Sequence, residues 1–382
     1  MQFRDLAKQY QVLKTQIDEK VMNVCTSAHY ISGPEVSELE KELAEYVGVK
    51  HCITCANGTD AITLAIKTWG LGKNDVVFVP DFTFFSSGEC PASEDMTCMF
   101  VDVDKRSYNM DPEKLEEAIK KVIAEGKQTP KAVVAVDLFG LPADYDRIKP
   151  VCEKYNLLLL EDGAQGFGGS IRGKMACSFG DISTTSFFPA KPLGCYGDGG
   201  AVFTDNDEWA ALIRSYAVHG KAGNDKYNNI RLGLNSRLDT IQAAILQIKL
   251  KAFREYELDD VNKVAKLYDK AFMNLGLDKK VVLPEIKEGY RSSWAQYTIQ
   301  LPDEIDRGKL QKELKEKDIP TMVYYTKPMH LQKAFASVLY CENMDCGTTD
   351  RLCERVLSLP MHPYMTEEQV TEVVTELANY MK

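Results

Sequence analysis

The sequence predicts an α/β protein with a large domain built on a mostly parallel, seven-stranded sheet and a smaller α+β domain at its carboxyl end. From about residue 51 to 205, short apolar runs alternate with helical segments, an order typical of a parallel sheet covered by helices. The runs are apolar at consecutive positions, as in strands buried on both faces. After about residue 257 the chain becomes rich in lysine and glutamate. We therefore place the large domain at residues 1–250 and the smaller one at residues 251–382.

Two amphipathic helices come first, over residues 7–28 and 35–47. In the second helix, Val36, Leu39 and Leu43 recur at helical spacing. The first helix is assigned to the large domain, but we allow for its packing on the smaller domain. Seven predicted strands follow, at His51–Cys55, Val76–Val79, Thr97–Val101, Ala132–Asp137, Leu157–Glu161, Ser183–Phe188 and Ala201–Thr204.

A long helix is predicted over residues 238–256, because Leu238, Ile241, Ile245 and Ile248 lie on one stripe. The smaller domain then combines helices with short apolar runs. Its predicted helices lie near residues 257–275, 307–316, 348–357 and 366–380, and its predicted strands are Val281–Leu283, Ala295–Leu301 and Thr321–Val323.

The composition excludes several classes of function. The formal net charge of the 382 residues is −10, whereas a nucleic-acid surface needs a basic stripe and anionic lipid would repel the chain. The sequence has no apolar stretch long enough to span a bilayer, and its first residues lack the apolar run of a signal peptide. We therefore expect a cytoplasmic protein that binds neither nucleic acid nor membrane.

The eleven cysteines do not suggest a disulfide framework, because they are scattered and odd in number. Cys52 and Cys55 have the spacing of a redox pair, but buried structural thiols in a strand explain them better. A zinc site could be drawn from Cys341, Cys346, Cys353 and His362. Their spacing matches no compact zinc motif, and Cys353 and Val356 fit the apolar face of a helix, so we predict no metal.

Two segments at the ends of strands could hold an anionic or charged ligand. Ala56–Ala61 links a strand to a helix, where free backbone N–H groups and the helix dipole favour a phosphate; simple helix capping is the alternative. Glu161 and Asp162 end a buried strand, where α/β sheets bind ligands. A carboxylate there could keep a pyridine nitrogen protonated, or could cap the next helix.

Two further segments carry basic residues. Lys191 follows an apolar strand and precedes the glycine-rich stretch that ends at Gly200. A poorly hydrated lysine has a lowered pKa and a nucleophilic amine; a surface lysine before a loop is the alternative. The segment Gly233–Asp239 opens the long helix, and it could either cap that helix with Arg237 solvated or present Arg237 to a ligand.

Taken together, the four segments resemble the DegT/StrS group of sugar aminotransferases, which have the type I fold of enzymes that use pyridoxal 5'-phosphate (PLP). The resemblance runs from Ile31–Glu35 to Ser358–Pro363. Ser186 and Lys191, combined with Glu161–Gln165, form a specific pattern at this spacing. The blocks Ser186–Gly200 and Asn235–Ala244 are especially similar to the UDP-2-acetamido-3-keto-glucuronate aminotransferases.

The resemblance implies a role for each matching position around PLP and its amino form, PMP. Lys191 would be the Schiff-base lysine, Asp162 the partner of the ring nitrogen, and Gln165 the residue near the ring hydroxyl. Phe84 would stack on the ring. The phosphate would be held by Gly58, Thr59, Ser186 and, from a second subunit, Asn235. The resemblance therefore implies a homodimer with shared active sites.

The resemblance also implies the substrates. An amino group from glutamate would pass to a nucleotide-linked keto-sugar, possibly a UDP-linked uronate, for a surface polysaccharide or another glycan. Arg237 would hold a carboxylate, while Tyr324 and Tyr325 align with a pair that contacts the sugar. The glucuronate enzymes have histidine at the position of Tyr324, which is a departure. Two alternatives stay open: a PLP-binding regulator without turnover, and a sugar dehydratase, which would have histidine in place of Lys191.

Overall fold

The computed structural model describes residues 1–223, 227–338 and 345–382. Its helices are α1 (Leu6–Ser27), α2 (Pro34–Val47), α3 (Gly58–Trp69), α4 (Ser86–Ser93), α5 (Pro112–Glu125), α6 (Tyr145–Lys154), α7 (Asp207–Tyr216), α8 (Thr240–Ala252), α9 (Leu258–Asn274), α10 (Arg307–Glu316), α11 (Gly347–Arg355) and α12 (Glu367–Tyr380). Its strands are β1 (His51–Cys55), β2 (Asp75–Pro80), β3 (Thr97–Val101), β4 (Thr129–Val136), β5 (Leu158–Asp162), β6 (Ser170–Ile171), β7 (Lys174–Met175), β8 (Ile182–Ser186), β9 (Gly200–Thr204), β10 (Tyr290–Arg291), β11 (Tyr297–Gln300) and β12 (Val356–Leu359).

The seven strands predicted for the large domain form one sheet, in the order β1-β9-β8-β5-β4-β2-β3. Every strand of it runs in the same direction except β9, which pairs antiparallel with both β1 and β8. The prediction of a mostly parallel, seven-stranded sheet is therefore confirmed. Because β5 and β8 are parallel neighbours, Asp162 and Ser186 end their strands at the same edge of the sheet. The loop that carries Lys191 leaves from that edge.

Helices cover both faces of this sheet, as continuously apolar strands require. One face packs against α3 and α4 through residues such as Ile62 and Leu64, and the other packs against α5 and α6 through Leu115 and Ile148. Helix α3 begins where the side chain of Asn57 accepts a hydrogen bond from the N–H of Asp60. Its amino end is thereby fixed beside the end of β8.

Helix α1 packs on α8, which also joins α2 and α9 in the largest apolar core. Leu13 and Ile17 of α1 pack on Ile245 and Ala252 of α8, so the first helix lies against α8. The long helix predicted over residues 238–256 continues from α8 through a π-helical segment, Phe253–Glu257, into α9. The domain boundary near residue 250 falls inside this continuous run and stays a prediction.

The carboxyl-terminal region corrects several predictions. The helix predicted at 348–357 ends at Arg355, and Val356 begins β12, which pairs antiparallel with β11. Val356 therefore does not lie on a helix face. Two predicted strands, Val281–Leu283 and Thr321–Val323, make only isolated bridges, to Gln300 and Ser358. Residues 356–359 are extended because they pair with β11, a strand about 60 residues away. Local periodicity cannot predict such a distant contact.

No helix in the described part of the chain is long and apolar enough to cross a membrane.

Candidate active site

A cavity of about 930 Å³ opens at the carboxyl ends of β5 and β8. Its walls are the amino end of α3, the loop after β8 and the segment 323–329. Nine of the eleven residues predicted from the sequence line it: Gly58, Thr59, Phe84, Asp162, Gln165, Ser186, Lys191, Tyr324 and Tyr325. Segments that are far apart in the sequence are thus brought to one site.

Asp162 is buried and held by two donors. Its Oδ2 accepts a hydrogen bond of 2.7 Å from the hydroxyl of Ser87, and its Oδ1 accepts one of 3.2 Å from the N–H of Ala164. The Ser87 hydroxyl lies 3.1 Å from that of Thr83. These two hydrogen bonds fix the direction of the carboxylate.

Glu161 has a different role from Asp162, because consecutive residues of a strand face opposite sides. Its carboxylate is completely buried and accepts hydrogen bonds from the N–H groups of Cys177 and Phe179 and from the hydroxyl of Ser183. Burial, together with the charge of Glu161, raises the pKa of the adjacent Asp137 well above its ordinary value. Glu161 therefore holds the loop between β7 and β8 on the side of the sheet opposite to Asp162.

Lys191 is partly buried in the cavity wall, and its backbone N–H donates to the carbonyl of Phe188. Burial lowers the pKa of its amine; the charge of Asp162 raises it, and that of Arg4 lowers it. Arg4 also donates a hydrogen bond of 3.3 Å to the carbonyl of Pro192, the residue after Lys191. The amine is therefore more often neutral and nucleophilic than that of an exposed lysine.

An anion-binding cradle lies where α3 begins. The side-chain hydroxyl of Thr59 lies 2.8 Å from that of Ser86, and the hydroxyl of Ser186 faces the same end of the helix. Gly58 has no room for a side chain, because a Cβ atom there would lie 2.7 Å from the Cβ of Ser186. Free N–H groups, hydroxyls and a helix amino terminus together suit a phosphate group.

Gln165 links the segment after β4 to Tyr325 through two hydrogen bonds. Its Oε1 accepts a hydrogen bond from the N–H of Phe139, and its Nε2 donates one of 3.1 Å to the hydroxyl of Tyr325. The ring of Tyr325 lies 6.3 Å from that of Phe84, whose side chain is half exposed in the cavity mouth. Phe84 is thus free to stack on a flat ligand.

Asn235 and Arg237 do not line this cavity. Asn235 is exposed and bridges Val218, and Arg237 lines a second cavity of about 360 Å³ together with Arg214. Within one chain, the structure therefore separates these two predicted residues from the other nine. Their assignment to the site of a second subunit stays a prediction.

Several residues that line or support the cavity were missed by sequence reasoning. Ser87 was not among the predicted site residues, yet its hydroxyl bonds Asp162. Gln296 has a buried Oε1 without a partner, and Lys327 and Gln332 face the cavity from the segment after Tyr325. No local pattern marks these three residues, because they lie in irregular segments.

The two cysteines of the possible redox pair are buried and free. Cys52 packs in the core on one side of β1 and Cys55 in the core on the other. Burial raises the pKa of the Cys52 thiol well above its ordinary value. They are structural thiols, as the strand pattern indicated.

The cavity fits the cofactor implied by the resemblance. A phosphate would meet the cradle of Gly58, Thr59 and Ser186, a ring nitrogen would meet Asp162, and Lys191 lines the same cavity. The unpartnered Oε1 of Gln296 shows that the cavity still offers a buried acceptor. This donor set suits an anionic, nitrogen-containing aromatic ligand.

Comparison with known proteins gives a consistent result. The model of the DegT/DnrJ/EryC1/StrS aminotransferase family matches residues 11–378. The UDP-2-acetamido-2-deoxy-3-oxo-D-glucuronate aminotransferase of Pseudomonas aeruginosa is 42% identical over 381 residues, which cover 99% of this chain and 100% of the relative. A pleiotropic regulatory protein of Geobacillus stearothermophilus is 38% identical, with 99% and 98% covered.

Solved structures are similar over the same extent. A DegT DnrJ EryC1 StrS aminotransferase from Brucella abortus superposes with a TM-score of 0.94 at 43% identity, and all of both chains is covered. The structure of NtdA from Bacillus subtilis with bound cofactor PMP superposes with a TM-score of 0.84 at 28% identity, covering 96% of this chain and 82% of that one. The predicted fold is confirmed.

Proposed function

This chain belongs to the DegT/DnrJ/EryC1/StrS aminotransferase family, and from that membership we propose that it uses PLP to transfer an amino group to a nucleotide-linked keto-sugar. The observation that carries the proposal is the presence of Lys191 and Asp162 in one cavity, above the phosphate cradle of α3. When bound, PLP supplies an electron sink for the carbon that gains or loses the amino group.

The side chains of the cavity supply what such a cofactor needs. Asp162 presents a fixed negative charge on the side where a ring nitrogen would lie, and it is preorganised by Ser87. The amine of Lys191 would hold the cofactor, and as a free base it would accept and return a proton at the substrate carbon. Phe84 would cover one face of the ring and shield it from water.

For the acceptor, the relative from Pseudomonas aeruginosa supports a UDP-linked 3-keto uronate, since its name specifies that substrate. Tyr324 and Tyr325 line the cavity beside Lys327. A phenol replaces a histidine at position 324, and it keeps a hydrogen-bond donor there. Arg237 would hold a carboxylate, either of the donor glutamate or of the uronate.

A homodimer is part of the same proposal. Asn235 is exposed and outside its own cavity, as expected of a residue that completes the cavity of a partner. We also expect the reaction to take place in the cytoplasm, where nucleotide-linked sugars are made, and to serve a surface polysaccharide or another glycan.

The test is a panel of nucleotide-linked keto-sugars supplied with glutamate, in which formation of the amino-sugar and of 2-oxoglutarate is measured together. A UDP-linked 3-keto uronate should be the best acceptor, and Lys191→Ala should abolish both products. Lys327→Ala is the matched control, because it also removes a lysine from the cavity wall but should keep the absorbance of the bound cofactor. Turnover by Lys191→Ala would refute the proposal.

A regulator without turnover is the second candidate, and the name of the Geobacillus stearothermophilus relative favours it. Such a protein would bind PLP and transfer no amino group with any sugar of the panel. A dehydratase would release water from the sugar and consume no glutamate. The presence of lysine at position 191 favours the aminotransferase over the dehydratase.

A further inference from the structure

A second cluster of reactive side chains lies where β2 ends, outside the phosphate cradle and apart from Lys191. It consists of Asp81, His330 and Cys346, each of which offers one ligand atom within 4.8 Å of the other two. Within residues 1–223, 227–338 and 345–382, it is the one group of three or more such side chains with this spacing. Cys346 is thus placed beside Asp81 and His330. Cys341, which the sequence grouped with it in a possible zinc site, lies outside the described residues.

The contacts within the cluster are close and directional. Oδ2 of Asp81, which is completely buried, lies 2.7 Å from Nδ1 of His330. Oδ1 of Asp81 accepts a hydrogen bond of 2.8 Å from the backbone N–H of His330. The far ring nitrogen, Nε2, lies 3.8 Å from a carboxylate oxygen of Asp350 in α11.

We propose that Asp81, His330 and Cys346 bind a zinc ion. One thiolate, one imidazole nitrogen and one carboxylate oxygen are the three ligand types that Zn²⁺ prefers. The charges of Asp81 and of a Cys346 thiolate balance the two positive charges of the ion, so the occupied site is neutral despite its burial. Zinc entry releases the thiol proton of Cys346 to solvent. His330 binds as the neutral imidazole with its one remaining proton on Nε2, toward Asp350, so an imidazolium releases its Nδ1 proton to solvent and a neutral ring moves that proton to Nε2.

The surroundings of the cluster match those of a metal site. A metal-bound histidine usually directs its other ring nitrogen at a carboxylate, and Asp350 stands at that position. The side chain of His330 is 17% exposed and that of Asp350 is 54% exposed, which leaves an entry path for an ion. Three protein ligands leave a fourth position for water.

An ion here would stabilise one wall of the catalytic cavity. Asp81 follows β2 and is two residues from Thr83, whereas His330 follows Met329, and both Thr83 and Met329 line the cavity. The N–H of Met329 already donates a hydrogen bond of 3.0 Å to the carbonyl of Asp81. Zinc would add bonds between the same two segments and would tie both of them to the start of α11.

The experiment uses the holoenzyme in a Cys25→Ser background, because Cys25 is an exposed free thiol that could bind zinc adventitiously. After dialysis against a chelator, zinc is titrated and bound metal is counted per chain. We expect one zinc ion per chain and a higher melting temperature. Cys346→Ala should abolish both effects. Cys353→Ala is the matched control, since it removes the buried thiol of α11, which is not one of the three proposed ligands, and should leave binding unchanged.

Cobalt provides a readout that does not depend on whether Cys346→Ala folds. Co²⁺ bound to the wild-type site should show a thiolate charge-transfer band and long-wavelength bands of a four-coordinate ion, clear of the cofactor absorbance. Asp350→Asn should weaken zinc binding by about tenfold or more, as loss of an outer-sphere partner does. The proposal would be overturned if zinc did not bind stoichiometrically or if the cobalt spectrum lacked the thiolate charge-transfer band. Equal zinc binding by Cys346→Ala and Cys353→Ala would also overturn it.

Discussion

The hydroxyl of Ser87 donates a 2.7 Å hydrogen bond to Oδ2 of Asp162, although the two residues are 75 positions apart in the chain. Both residues are buried, so the carboxylate has little water with which to replace this bond. Ser87 is therefore a positioning residue: it fixes the oxygen that would face the cofactor ring, and it does not itself reach the reacting atoms.

We expect Ser87→Ala to lower kcat by roughly tenfold to a hundredfold, since a hydrogen bond to a charged group contributes about 1.5–3 kcal/mol. Turnover at saturating PLP is the measurement. Ser86→Ala is the control, because the neighbouring hydroxyl bonds Thr59 in the phosphate cradle and should change PLP affinity more than kcat. Equal effects of both variants on kcat would contradict the role given to Ser87.

Asp162 and Glu161 should give opposite results when each is neutralised. Asp162→Asn should leave the free energy of unfolding nearly unchanged and reduce turnover by about 10²-fold or more, the scale of losing one preorganised electrostatic group. Glu161→Gln should reduce the free energy of unfolding by about 1–3 kcal/mol, because the amide keeps only one of the two acceptor oxygens and turns an NH2 group toward the buried donors of the other. Denaturant unfolding and turnover are measured on both variants. If only Asp162→Asn lost stability, the structural role would belong to Asp162 and not to Glu161.

Arg4 should set the pH at which apoprotein takes up PLP. Burial lowers the pKa of Lys191, and the Arg4 charge lowers it further. A lowered pKa means that the neutral amine persists to lower pH, so removing the Arg4 charge should move the uptake profile to higher pH. Arg4→Gln should show this shift, and Arg4→Lys, which keeps the charge, should not. The rate of cofactor uptake against pH is the measurement, and identical profiles for the two variants would exclude an electrostatic role.

Asn235 and Lys191 should complement each other between subunits. Neither Lys191→Ala nor Asn235→Ala should be active alone. A mixture of the two, unfolded and reassembled, should recover about one quarter of wild-type activity, since half of the dimers are mixed and each of these has one intact site. Two copies of the same variant, treated identically, are the control. Failure to recover activity in mixed dimers would show that Asn235 serves its own subunit.

Arg237 should bind the carboxylate of glutamate, that of a uronate sugar, or both. It lines the second cavity with Arg214, so a substrate carboxylate would reach it only in an assembled dimer. Arg237→Ala should raise the KM of the affected substrate by roughly tenfold to a hundredfold, the effect of losing a charged hydrogen bond. Separate measurement of the glutamate and sugar half-reactions identifies which substrate it holds. No change in either would make Arg237 a structural partner of this cavity.

The sequence by itself determined the strands of the seven-stranded sheet and the main reactive groups that follow them. His51–Cys55 and Thr97–Val101 were predicted with the bounds that the structure has. Asp162 and Lys191 were each recognised as following a predicted strand, and the family resemblance assigned them to one site. Apolar runs and strand–turn–helix junctions are local patterns, so they can be recognised from residues that are neighbours in the sequence.

Only the tertiary structure decided the contacts that join distant segments. Val356–Leu359 became a strand because β11 was available to pair with it. Ser87 came to hold Asp162, and Asp81 met His330 across 249 positions of the chain. Asn235 and Arg237, which the family pattern groups with the cavity residues, were separated from them within one chain. Such contacts depend on the packing of whole elements, and the residues involved carry no periodic signal that would reveal them beforehand.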